Sequence, residues 1–165
     1  MHLTDAVRVT IQDLIIQGAS DNGLNIDDGG SYSTPSNQIT LRNLLVQNIG
    51  AGGGNHDGIK LSGVNQFHID RVRVLDWGDG GSAIDMVGSH QGLIENSLFQ
   101  RSAPTLSGTG IQQKGGTSDV IVRANRFVQA GDRAINMGGS TGLQFFRPQP
   151  PGSVEADQLI AEGNV

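Results

Sequence analysis

The sequence predicts an all-β chain wound as a parallel β-solenoid. Three observations carry that expectation. Two kinds of short strand-like segment alternate along the chain, and apolar residues recur within them with period two. The pair repeats at a nearly fixed interval. Aligned on Ile11, Leu41, Ile69, Ile94 and Val122, the intervals are 30, 28, 25 and 28 residues. Glycine, with 25 of the 165 residues, gathers with Asn and Ser between the segments, where turns are required. No segment holds apolar residues at helical spacing over three turns. The length is that of one domain, and residues 1–165 are read as a single solenoid domain of about five coils.

Segments of the first kind are Thr10–Ile16, Thr40–Val46, His68–Val74, Leu93–Phe99 and Ile121–Phe127. Those of the second kind are Gly23–Ile26, Gly58–Leu61, Ala83–Met86, Gly110–Gln113 and Ala134–Met137. From second to first the connection is nearly constant: ten residues from Ile59 to Ile69 and from Ile84 to Ile94, eleven from Ile111 to Val122. It carries an aligned glycine at Gly63, Gly88, Gly115 and Gly139, as a left-handed or sharply bent corner would require. The opposite connection varies from 13 to 18 residues, which marks it as the loop-bearing corner. Asp13, Asn43 and Asn96 share one aligned position and read as turn residues hydrogen-bonded to backbone. Two excursions lengthen the constant corner, Asp27–Gln38 and Leu143–Asp157. The second is expected to form an ordered loop or partial lid, because Phe145 and Phe146 need cover and three prolines stiffen it. The last residues, "LIAEGNV", read as a sixth copy of the first segment, with Ile160 in the place of Val122. Neither end shows a cap, so the chain is expected to be a β-helix truncated at both ends, able to self-associate through open coils.

Composition narrows the partners. A net charge of -5 argues against nucleic acid, which demands a basic face to displace counterions. No window of eighteen apolar residues exists, so no membrane span is expected. The absence of cysteine excludes disulfides and thiol chemistry. No phosphate loop, zinc-protease helix or nucleophile elbow occurs.

The motifs "GIKLSG", "AIDM", "QQKGG" and "RAINMGGSTG…FFRP" give the chain its resemblance. It resembles the right-handed parallel β-helix superfamily that includes pectate lyases, polygalacturonases and alginate epimerases. More closely, it looks like a group of uncharacterised bacterial β-helix repeat proteins. The resemblance implies the fold over essentially the whole chain and a polysaccharide as partner. It also implies a secreted or periplasmic parent protein, although no signal peptide stands in this chain. The paired-Asp run of polygalacturonases and a lyase-type arginine motif are absent, which weakens both named activities.

Alternation along the strands selects the candidate groove. If Ile59 and Leu61 point inward, Lys60 points out, and the equivalent outward file is Asn25, Lys60, Asp85, Gln112 and Asn136. The next outward file contains Lys114. Asp57, Ser82, Thr109 and Arg133 stand at the strand entrances. On a uronate polymer, Lys60 would take the C5 proton if its pKa were depressed, with Asp85 and Arg133 completing the catalytic set. Arg133 and Lys114 would hold the sugar carboxylate, or Asp57 and Asp85 would hold a Ca²⁺ that does so. A hydrolase would use Asp57 and Asp85 as acid and base. That ranks lower, because Lys60 between them would keep both ionised. The plainer reading is a solvated polar ladder in which Lys60 and Asp85 form an ordinary cross-strand pair, worth about 0.2–1 kcal/mol.

Other signals are weaker. "GGGNHDGIK" (Gly52 to Lys60) matches a Ca²⁺-binding nonapeptide with Asn55 in place of Gly, but occurs once where the motif works in tandem. No cofactor is fixed by the sequence, and Ca²⁺ is the one it suggests. The histidines do not cluster at ligand spacing; His56, beside Asp57, is the only one near the groove. Trp77, the sole tryptophan, offers a stacking face for a sugar or, more simply, cover for the core edge. Two function classes remain. One is a carbohydrate-binding or polysaccharide-modifying module, lyase or epimerase. The other is a structural or adhesive solenoid, or a fragment, without activity of its own. The first predicts a concave groove with converging charges, the second a flat and evenly solvated face.

Overall fold

Each coil of the chain is three strands joined by corners that left-handed residues turn. The computed structural model describes residues 1–50, 56–104, 107–139, 141–148 and 152–165. Its strands form three parallel sheets. The first holds His2–Thr4, Leu24–Asp27, Ile59–Ser62, Ser82–Val87, Thr109–Lys114 and Arg133–Met137. The second holds Val7–Gln12, Ser36–Arg42, Val64–Asp70, His90–Glu95, Thr117–Arg123 and Ala156–Glu162. The third holds Ile15–Gln17, Leu45–Gln47, Arg73–Leu75, Leu98–Gln100 and Arg126–Val128. Five complete coils are followed by two strands of a sixth.

The first kind of segment is thus two strands, not one. Asp13, Asn43, Arg71, Asn96 and Ala124 break it with φ between 49° and 57°, a conformation Asn and Asp tolerate best. Period two survives on both sides of such a single-residue corner, so the sequence pattern conceals the break. Asn43 and Asn96 bond not to backbone but to side chains of the preceding rung, Asp13 Oδ1 at 2.5 Å and Asp70 Oδ1 at 3.1 Å. The residues that satisfy backbone groups come one position later. Asn125 donates to Ile94 O at 3.0 Å and accepts from the Ser97 amide at 3.0 Å, and Asn164 repeats this on the next rung.

Register follows the expected alignment from Ile11 through Leu41, Ile69 and Ile94 to Val122. In the sixth coil Ile160 stands opposite Ile121, and Ala161 takes the place opposite Val122. Gly63, Gly88 and Gly115 carry φ of 67°, 56° and 62°, but in the last coil the left-handed residue is Gly138, at 107°, and not Gly139. The core is a stack of aligned apolar files, such as Leu24, Ile59, Ile84 and Ile111. Large and small residues alternate where rings enter it. A Cβ on Gly92 would come within 2.0 Å of the Phe67 ring in register beside it, so that rung requires glycine. One inward file, Ile26, Leu61, Met86, Gln113, Met137, contains an amide. Gln113 is fully buried, and neither Nε2 nor Oε1 has a partner among the described residues.

Candidate functional site

The five outward residues form one file, as the alternation requires: Asn25, Lys60, Asp85, Gln112 and Asn136 are partners on successive strands. Its centre is a cluster of four charges. Lys60 Nζ is hydrogen-bonded to Asp85 Oδ2 and lies 3.5 Å from Asp57 Oδ2. Lys114, in the adjacent file, reaches back to put its Nζ 3.1 Å from Asp85 Oδ1. The carboxylates are buried, and the two lysine side chains that reach them are between a fifth and a quarter exposed. Asp57 is further fixed by its neighbours. Its Oδ1 accepts from the Ser82 amide at 2.7 Å, and its own amide donates to Asn22 Oδ1 at 2.8 Å.

Electrostatics assign the protons. Burial, reinforced by the Asp85 carboxylate, pushes Asp57 up to about 6 against the opposing pull of Lys60. Burial would lower the Lys60 ammonium, but Asp85 and Asp57 outweigh it and hold the group above the ordinary lysine value. Two earlier expectations change. The depressed pKa that a base at Lys60 requires is not met, because the two carboxylates that flank it stabilise its proton. The expectation that Lys60 keeps both carboxylates ionised meets an opposing effect at Asp57, whose carboxyl burial pushes upward. The same ammonium stands between the two acids, in the place a bridging Ca²⁺ would take. Of the nonapeptide match at Gly52 to Lys60, residues 52–55 lie outside the described residues.

The face is concave. A cleft of about 440 Å³ opens over the cluster, walled by Lys60, Lys114, Val87, Thr141, Phe145 and Arg147. Its outer wall is the second excursion, bent back across the corner of the first and second sheets. Glu155 pins it, accepting from the amides of Gly115 at 2.7 Å and Thr141 at 2.6 Å. Phe146 is buried beneath it, while Phe145 is half exposed. Pro150 and Pro151, two of its three prolines, lie outside the described residues. Arg147 is the anchor. Its guanidinium makes a bidentate pair with buried Asp28, at 2.5 and 3.0 Å, and lies 4.3 Å from the Tyr32 ring centroid. A Cβ on Gly88 would come within 2.3 Å of Arg147 Cβ, and one on Gly63 within 2.3 Å of Asp28 Oδ2. The glycine file therefore serves two ends: it turns the corner and clears the path of this loop.

The other expected site residues lie around the cluster, not in it. Gln112 donates to Gly138 O at 2.6 Å and accepts from Asn136 at 2.9 Å. Asn25 donates to Asp27 at 2.7 Å. Arg133 is exposed and pairs with its neighbour Asp132 at 3.0 Å, so it does not join Lys60 and Asp85. Trp77 is buried in the core cluster with the Arg101 guanidinium 5.1 Å from its ring centroid. It has no open face for a sugar and covers the core edge. On the second sheet, His68, Asp70 and Glu95 lie close enough to suggest a metal. Their carboxylates are already engaged by Arg71 at 2.9 Å and by Arg123 at 2.9 Å.

Sequence reading passed over Asp28, Tyr32 and Arg147, which sit in separate excursions and match no repeat column. Arg147 after two phenylalanines in the longer excursion was the only signal. A family model described as right handed beta helix region matches residues 2–148. No curated protein and no solved structure matches the chain.

Proposed function

This chain belongs to the right-handed β-helix family, and from that premise we propose that it is a carbohydrate-binding module for an acidic polysaccharide laid along its first sheet. One observation carries the reading: the ammonium groups of Lys60 and Lys114 form the floor of an open cleft beside the Phe145 ring. A uronate carboxylate would meet the two ammonium groups from the cleft side, above the Asp85 carboxylate they share, and an aromatic wall suits the apolar face of a pyranose. Asp57 and Asp85 offset the lysines. The floor therefore favours anions most when Asp57 is protonated, below about pH 6.

Lyase or epimerase chemistry needs a base in this cleft, and Lys60 is held protonated. Asp57, whose carboxyl burial pushes up to about 6, lies buried under Lys60 with one oxygen committed to the Ser82 amide. The supported reading is binding without turnover, in a parent protein secreted or periplasmic as the polymer's location requires. A second reading, a structural solenoid, draws on the second sheet. There Arg42, Asp70, Glu95 and Arg123 form a self-compensated charge file with no cleft role.

Affinity electrophoresis against polygalacturonate, alginate and a neutral glucan tests the proposal, with and without Ca²⁺. Retardation by the acidic polymers alone is expected, weakened by salt and by Lys114→Gln, with no rise in absorbance from unsaturated products. Equal retardation by the neutral glucan, or none by any polymer, removes the reading in favour of the structural one.

A further inference from the structure

Arg147 walls two clefts, and the second has opposite chemistry. On the side of the second sheet a cavity of about 450 Å³ is lined by Tyr32, Asn65, His90, Ser118, Asp119 and the Arg147–Pro148 step. Asn65, His90 and Ser118 are partners on successive strands, so the floor is again a file of outward side chains. The hydrogen bonding of that floor sets its polarity. Ser118 Oγ donates to Asp119 Oδ2 at 2.6 Å, and His90 Nδ1 lies 3.0 Å from the same hydroxyl oxygen. The hydroxyl proton is committed to Asp119, so the imidazole must carry its own proton on Nδ1 and leave Nε2 as a bare acceptor.

Charge points the same way. Burial lowers the His90 pKa despite the nearby Asp119, so the ring is neutral near pH 7. Arg147, the one cation on the wall, is neutralised by Asp28. Asp119 is exposed and has no cationic partner among the described residues. The cavity thus presents one uncompensated carboxylate, a bare imidazole nitrogen and an aromatic ring. Its one cation is already paired, so the charge it leaves uncompensated is negative. From this geometry we infer a second binding site, for a ligand that carries a primary ammonium among hydroxyls, the chemistry of an amino sugar. The ammonium pairs with Asp119, a hydroxyl donates to His90 Nε2, and the Tyr32 side of the cavity takes the ring face. The site is independent of the acidic-polymer reading, since it shares only the Arg147 wall with that cleft.

Calorimetric titration at pH 6.5 with glucosamine oligosaccharides, their N-acetylated forms and glucose oligosaccharides tests the assignment. The amine form is expected to bind, and acetylation or Asp119→Asn to weaken binding about tenfold, the loss of one charge-assisted contact. Asparagine suits this position because residue 119 has φ 56°. Lys114→Gln should leave this binding unchanged while impairing retention on acidic polymers, which separates the two sites. Equal affinity for the acetylated or neutral sugars, indifference to Asp119→Asn, or no binding at all overturns the assignment.

Discussion

Gln113 and Gln112 are adjacent, yet their replacement by methionine should move stability in opposite directions. Gln113 lies in the file between Met86 and Met137, fully buried, with a donor and an acceptor unpartnered. An amide buried without a partner costs about 1–3 kcal/mol, and methionine fills nearly the same volume without the polar atoms. Gln113→Met is therefore expected to stabilise the fold by about 1–3 kcal/mol, and at about 2–4 °C per kcal/mol to raise Tm by roughly 2–12 °C. Gln112 points outward and makes two hydrogen bonds, to Gly138 O and from Asn136. Its replacement should cost about 0.5–1.5 kcal/mol per bond lost. Equilibrium urea unfolding of the two variants, with unchanged m-values, is the measurement. If Gln113→Met is no more stable than the parent, its amide is satisfied in the core and the reasoning fails.

Three further outcomes follow from the same structure. Arg147→Met leaves Asp28 buried and unpaired, so it should destabilise by about 3–5 kcal/mol, and adding Asp28→Leu should restore part of that loss in a double-mutant cycle. Additive losses would show that the two side chains do not act as a pair. Asp57 has a folded pKa raised to about 6 from 3.8, so the unfolded chain ionises first and stability falls as pH rises between those values. His90 acts in the reverse sense near its ordinary value, because burial lowers its pKa. The slope between pH 4 and 6 should flatten in Asp57→Asn; an unchanged slope in urea titrations would remove Asp57 as its source. Finally, Trp77 is 2% exposed, so acidic oligosaccharides should leave its emission unchanged, and Trp77→Ala should cost about 3–5 kcal/mol. A saccharide-dependent shift in emission would contradict its burial.

The sequence alone determined the coil. Repeats of 25–30 residues with period-two apolar files admit one economical solution, a stacked parallel solenoid, and inward–outward alternation then places Lys60 beside Asp85 without coordinates. It could not show that Asp13 and its equivalents split a strand, because alternation continues across one left-handed residue. It also could not distinguish Arg133, which turns to Asp132, from Lys114, which reaches Asp85. Side-chain reach across files is a three-dimensional quantity. Tertiary structure alone decided the clefts. Asp28 and Arg147 are 119 residues apart, and no local rule links two excursions from different coils. Coil stacking aligns their shared corner, and the glycine file leaves that corner bare enough for Arg147 to cross. Burial of the cluster set the protonation of Asp57 and Lys60, since a pKa follows desolvation and neighbouring charge, and neither is written in residue order.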